Sequence, residues 1–190
     1  MLLSASLTCF AQALPSFEAE KLSFSLKIDD SSSDALLWEV SGDYFFSNQH
    51  AHAISQPIAF PIPSSANVSL AVIHELSIIE PSDSMAVSLL SQNSQSIVFK
   101  LDLPPRSFAG VRLSYSQKVV GKEAVYILST AKTWGKPLSF CEIKLFIGNG
   151  IKPVSLPFAD PQIIQGNSGN VYGWQFIDFV PLGEFVVIVE

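Results

Sequence analysis

Positive charge is scarce in this chain: 11 Lys and Arg stand against 17 Asp and Glu in 190 residues, a net charge of −6 with histidine neutral. The basic residues are scattered singly, so nothing clusters enough cation to displace counterions from a phosphate backbone, and a nucleic-acid surface is excluded. Charged residues of both signs make up only 15% and hydrophobic ones 48%. That balance excludes disorder over most of the chain, which needs the opposite composition. Long apolar runs are absent too. Beyond residue 13 nothing approaches the roughly 18 residues that a membrane helix requires, so no transmembrane anchor is expected in the mature chain.

Chemistry-bearing motifs are equally sparse. No Gly-rich loop joins a strand to a helix, which leaves a dinucleotide or P-loop site unsupported. There is no G-x-S-x-G elbow, and 3 histidines offer little choice of catalytic base. Asp29, Asp30 and Asp34 lie close together but in a Ser-rich turn, where Asp normally bonds its own backbone. No cofactor is implied.

The N-terminus does carry a recognisable layout. Met1 to Ala13 has no charge; Leu2, Leu3, Ala5, Leu7 and Phe10 form an apolar stretch, and Ala11-Gln12-Ala13 is a small-x-small tripeptide before Pro15. This predicts a secretory signal peptide cleaved after Ala13 and a periplasmic or secreted protein, although the usual Lys or Arg before the apolar run is missing. Cys9 would leave with that segment, and Cys141 would stand without a disulfide partner. Cys141 shares an alternating face with Ile143, Leu145 and Ile147, so it reads as a small core hydrophobe rather than a reactive thiol.

Period-two alternation dominates the rest, punctuated by Pro, Gly, Asn and Ser. Leu22, Phe24, Leu26 and Ile28 alternate with Lys21, Ser23, Ser25 and Lys27. Ile97, Phe99, Leu101 and Leu103 repeat the pattern, as do Val111, Leu113 and Tyr115. The segment from Gln56 to Ser65 carries Pro57, Pro61 and Pro63 and should be extended and edge-like. Val68 to Ile79 fits a strand or a short helix, and its Val and Ile content favours a strand. The expectation is an all-β chain: an antiparallel β-sandwich of about ten short strands, immunoglobulin-like or related. Residues 14–190 would form a single sandwich domain, with any division into two packed halves near 104–110.

One arrangement invites comparison with a family. Tyr126-Ile127-Leu128-Ser129-Thr130 is followed by Trp134-Gly135-Lys136-Pro137-Leu138. Gly42-Asp43-Tyr44-Phe45-Phe46 and Tyr115-Ser116-Gln117 lie upstream, and Trp174-Gln175-Phe176 and Phe179-Val180-Pro181 downstream. Over roughly residues 40 to 190 this resembles a group of uncharacterised bacterial exported proteins with an all-β extracytoplasmic domain. The resemblance implies an exported β domain and brings no catalytic residue with it. Read on its own, Gly135-Lys136-Pro137 fits a turn between two strands, with Trp134 capping the sandwich at the hairpin end.

Two sets of candidate site residues follow. His50 and His52 would point the same way on a strand and could share a metal ion. Zinc takes three or four ligands, however, and His74 with Glu75 lies far along the chain, so a solvated pair is the plainer reading. Trp134, Trp38 and Trp174 could present stacking platforms for a carbohydrate, against the alternative that each packs in or over the core. The function expected is therefore an exported, non-catalytic β-sandwich acting as a binding or structural module in the periplasm or cell envelope. Its partner would be an envelope protein, taken by strand addition at a sheet edge or at Gln56 to Ser65. The alternative is an exported metal- or carbohydrate-binding protein, or a hydrolase, built on His50 and His52 or on exposed tryptophan.

Overall fold

The structure is a computed structural model that describes residues 14–32, 35–79 and 84–190. The expected signal peptide, with Cys9, lies outside the described residues, as does Asp34. Thirteen strands run in chain order: β1 (Ser16–Ile28), β2 (Ala35–Asn48), β3 (Ile54–Pro61), β4 (Val72–Ile78), β5 (Ala86–Gln92), β6 (Ser96–Leu103) and β7 (Ser107–Val120). After these come β8 (Glu123–Tyr126), a 3-10 helix (Ser129–Trp134), β9 (Leu138–Gly148), β10 (Pro153–Ser155), β11 (Gln162–Gly166), β12 (Gly169–Phe179) and β13 (Phe185–Val189). Among the described residues no helix is long and apolar enough to cross a membrane.

A seven-stranded sheet in the order β11-β12-β9-β1-β2-β7-β4 forms one layer, and two three-stranded sheets, β10-β13-β8 and β3-β6-β5, form the other. The alternation read from the sequence builds the large sheet. Leu22, Phe24 and Leu26 are buried on β1, and they lie beside Gly42, Val40 and Trp38 of β2 and Ile143, Leu145 and Ile147 of β9. The other parity faces water and carries paired charges: Lys27 with Glu39 at 2.7 Å, Arg112 with Asp43 at 2.7 Å and Lys144 with Glu142 at 2.8 Å. One apolar face and one polar face on the same strands is what a period of two produces.

The two small sheets cover the apolar face. Phe24 of β1 stacks on Phe185 of β13 at 4.5 Å between ring centroids and meets Tyr126 of β8 at 5.0 Å; Tyr44 of β2 meets Phe60 of β3 at 5.2 Å. One cluster of buried apolar side chains runs through all three sheets. At roughly 1.5–3 kcal/mol for each fully buried large side chain, it is the main favourable term in folding.

The all-β, sandwich-like architecture agrees with the sequence, and several details differ. Among the described residues there are thirteen strands rather than about ten, because pieces such as β5 and β11 display no clear alternation of apolar and polar residues. The sheets are not wholly antiparallel: β1 and β9 run parallel, from Ala19 beside Phe140 to Leu26 beside Ile147. The partition into seven, three and three strands is also not the two-sheet antiparallel division of an immunoglobulin domain. Val72–Ile78 is a strand, and β3 is an edge strand, as its prolines require. Residues 104–110 form the turn from β6 to β7 and the start of β7. Trp134 does not end a hairpin. The 3-10 helix Ser129–Trp134 closes at Gly135, whose φ of 75° is left-handed, and leads from β8 in a small sheet to β9 in the large one.

Candidate functional site

A cleft of about 320 Å³ opens between β3 and the segment from Tyr126 to Trp134, with β1 and β2 behind it. Its construction begins with an irregularity in β1. Between Phe17 and Ala19 the register against β2 slips by one residue. Without that bulge Phe17 and Glu20 would point to opposite faces; with it both turn inward, where they are 6% and 3% exposed. Phe17 stacks on Phe46 at 5.2 Å, and Trp134 leans over both rings at 5.7 Å. Tyr44, Phe60 and Tyr126 form the adjoining wall, with Tyr126 6.0 Å from Phe60. Exposed residues such as Leu14, Pro57, Ala59 and Thr133 mark the rim.

Tyr44 reaches this wall because Gly42 lies two residues before it on the same face of β2. A Cβ on Gly42 would overlap the Tyr44 ring and hydroxyl, so only glycine leaves room for the ring to lie back along the strand.

The opposite wall is held from a distance. The 3-10 helix has no side-chain cap of its own at Leu128. Instead Glu184 Oε2 accepts from the backbone N–H of Leu128 at 2.6 Å and of Ser129 at 3.1 Å, and Glu184 Oε1 accepts from the Ser129 hydroxyl. Burial alone would raise the Glu184 carboxyl, but the Ser129 hydroxyl and these amides hold it below the ordinary carboxylate value.

Glu20, Tyr44 and Tyr126 bring polar groups to the lining of the cleft. Cys141 of β9 lies beside it in register, and its Sγ donates to Glu20 Oε1 at 3.5 Å. The hydroxyls of Tyr44 and Tyr126 bond each other at 3.0 Å. Two phenols carry two protons and that contact uses one, so the pair retains a donor. Among the described residues no Lys, Arg or His lines the cleft, and Glu20 is its one carboxylate. Burial pushes the Glu20 carboxyl from 4.5 to about 7, with the thiol hydrogen bond pulling weakly the other way. Burial, and then the charge of Glu20, pushes the Cys141 thiol far up; burial does the same to the Tyr44 and Tyr126 phenols. An apolar cleft with a few convergent polar groups and a strongly shifted carboxyl is the pattern of a ligand site.

The residues singled out in the sequence fall in different places. His50 and His52 lie on the loop between β2 and β3 rather than on a strand, exposed, with their rings 5.4 Å apart. His74 is on β4, bonded to Ser116 Oγ at 2.9 Å. Among the described residues no group of three or more His, Cys, Asp or Glu is placed to hold a metal ion. Trp38 is 1% exposed and stacked on Phe24 at 5.1 Å; Trp174 is 6% exposed and donates from Nε1 to the Ala159 carbonyl at 3.2 Å. Neither ring has an open face. Trp134, half-buried, is the tryptophan that lines the cleft.

Glu20 and Tyr44 carry the site and were not among the residues picked from the sequence. Both signals were present: Glu20 is in phase with Leu22, Phe24 and Leu26, and Tyr44 with Val40 and Trp38. A carboxylate in the buried phase of a strand calls for an explanation by itself.

Among solved structures, the chain is similar to a provisionally named nutrient binding protein from Legionella pneumophila. The match covers 94% of this chain and 67% of that one, with a TM-score of 0.68 at 14% sequence identity. An M1 zinc metallopeptidase from Deinococcus radiodurans matches over 93% of this chain and 43% of its own, with a TM-score of 0.44 at 11% identity. A provisionally named protease from Parabacteroides distasonis matches over 94% of this chain and 41% of its own, with a TM-score of 0.45 at 9% identity. The first likeness shows the fold; the chain spans less than half of either peptidase. No family model and no curated protein matches, in keeping with the resemblance to a family without an assigned activity.

Proposed function

We propose that this is an exported, non-catalytic binding module whose ligand is a small organic molecule held in the cleft beneath Trp134. The observation that carries the reading is the cleft itself: about 320 Å³, walled by aromatic and aliphatic side chains, with one buried carboxyl and a hydrogen-bonded tyrosine pair in its lining. That volume lies within the range of small-molecule sites, and the ratio of apolar wall to polar anchor matches them. Burial keeps the thiol and both phenols protonated, so Glu20 has no activated nucleophile beside it, and this supports a binding rather than a chemical role. The fold shared with a protein named for nutrient binding supports it too. The charge-free N-terminal stretch ending at Ala11-Gln12-Ala13 supports export. The cleft is favoured over strand addition at β3, because Pro57 and Pro61 remove two N–H donors from the open edge of that strand.

Titration with toluene, followed by methyl NMR, tests the reading. Saturable shifts confined to Ile58, Leu128 and Ala131, which line the cleft, are expected. Shifts scattered over the surface, or none at saturation, overturn it.

A further inference from the structure

We infer that the ligand carries a protonated amine, seated between the Glu20 carboxylate and the surrounding rings; this rests on the reading of the cleft as a ligand site. Glu20 is 3% exposed and its side chain lines the cleft, yet the hydrogen-bond donor it has is a thiol, the weakest in the protein repertoire. A buried carboxylate is ordinarily paired with a cation. None of the described residues lining this cleft supplies one, so a cation that pairs with Glu20 there would be brought by the ligand.

The rest of the lining suits an ammonium. Aromatic faces attract cations through the ring quadrupole, most strongly where water is excluded, and Tyr44, Tyr126, Phe60, Phe17 and Trp134 surround the space in front of Glu20. The phenol pair, with its remaining proton, can donate to a neutral polar atom elsewhere on the same ligand. An anionic ligand fits poorly: it would meet the carboxylate and the negative faces of the rings with no cation to receive it. A neutral ligand would leave Glu20 without a cation wherever it is ionised, above about pH 7, at the usual cost of a buried charge.

The ionisable groups facing Glu20 are Tyr44 on β2, Tyr126 on β8 and Cys141 on β9, all held protonated by burial. β3, β6 and the 3-10 helix contribute Gln56, Phe60, Phe99, Ala131 and Trp134 to the lining, none of which titrates there. Glu20 is therefore the group whose ionisation an amine would read. With its carboxyl near 7 in the free protein, an arriving ammonium displaces its proton. Affinity for an amine should accordingly rise as pH climbs towards neutrality and level off above it.

Calorimetric titration of the full chain with phenethylamine and with its neutral isostere phenethyl alcohol tests this. At pH 8 the amine should bind at least tenfold more tightly, and near pH 6 its binding should release a proton, read from titrations in buffers of different ionisation enthalpy. Glu20→Gln, which keeps the shape and removes the charge, should abolish both the preference and the proton release. Trp134→Leu should weaken both probes, the amine more than the alcohol because it also loses an aromatic face, which shows that they occupy this cleft. If the alcohol binds as tightly as the amine, or Glu20→Gln keeps the preference, the amine inference falls while the ligand site stands. If neither probe binds, both fall.

Discussion

The hydroxyls of Tyr44 and Tyr126 lie 3.0 Å apart in the interior although 82 residues separate them in the chain. Tyr44 belongs to the seven-stranded sheet and Tyr126 to a three-stranded one, so this bond ties the two layers together at the wall of the cleft. Each phenol is nearly inaccessible, and removing either oxygen strands the other. Tyr126→Phe should therefore cost about 1–3 kcal/mol, the penalty for an unsatisfied buried group. The double variant with Tyr44→Phe should cost less than the sum of the two single changes, because it leaves no orphan. Urea unfolding of the four proteins measures the cycle, and strict additivity would show that the hydroxyls do not interact.

Glu20 makes stability depend on pH in a direction opposite to that of most carboxylates. Its folded value of about 7 lies above the ordinary 4.5, so between these limits the folded protein holds a proton that the unfolded chain has released. Stability is greatest below about pH 4.5 for this group, falls as pH rises, and reaches its floor above 7. At about 1.4 kcal/mol per pH unit the whole loss is about 3 kcal/mol. Glu20→Gln should remove it and be more stable than the native protein at pH 8. Denaturation of the two proteins from pH 4 to 8 gives the difference, and parallel profiles would refute the assignment.

Glu20 also marks the limit of what a strand pattern shows in advance. Alternation revealed Leu22, Phe24 and Leu26 as a buried face because each strand displays its own period. It did not show that β9, more than a hundred residues later, lies parallel beside β1, since pairing partners leave no trace in either strand alone. Nor did it show the bulge at Phe17, which brings an odd and an even residue to the same face. The cleft depends on both features, for the first places Cys141 beside Glu20 and the second turns Phe17 inward with it. Trp134 was visible as a residue in a turn, but its role depends on Phe17 and Phe46, contacts that arise only once the strands are assembled.

Gly42 should tolerate no side chain while Tyr44 keeps its place. A Cβ there would overlap the Tyr44 ring, which must then swing into a filled core or out into the cleft. Gly42→Ala should lose about 1–3 kcal/mol, the usual cost of overpacking. In a Tyr44→Leu background, where the overlapping ring atoms are gone, the same substitution should cost much less. Thermal unfolding of the four proteins decides it, and an equal loss in both backgrounds would place the strain in the backbone of β2 instead.

Glu184 offers a way to loosen the cleft without touching its lining. Its carboxylate serves as the missing cap of the 3-10 helix, through the amides of Leu128 and Ser129, and that helix carries Thr130, Ala131 and Trp134 into the wall. Glu184→Ala should cost about 1 kcal/mol, as loss of a helix cap does, and faster amide exchange should appear at Leu128 and Ser129. Because the folded carboxyl is held below its ordinary value, the stabilisation is present at neutral pH and disappears as pH falls through that lowered value. Native and variant proteins should therefore converge in stability in acid. Ligand affinity should fall in the variant at neutral pH, since the wall bearing Trp134 is no longer fixed. Unchanged exchange at Leu128 and Ser129 would mean that the helix holds its shape without Glu184.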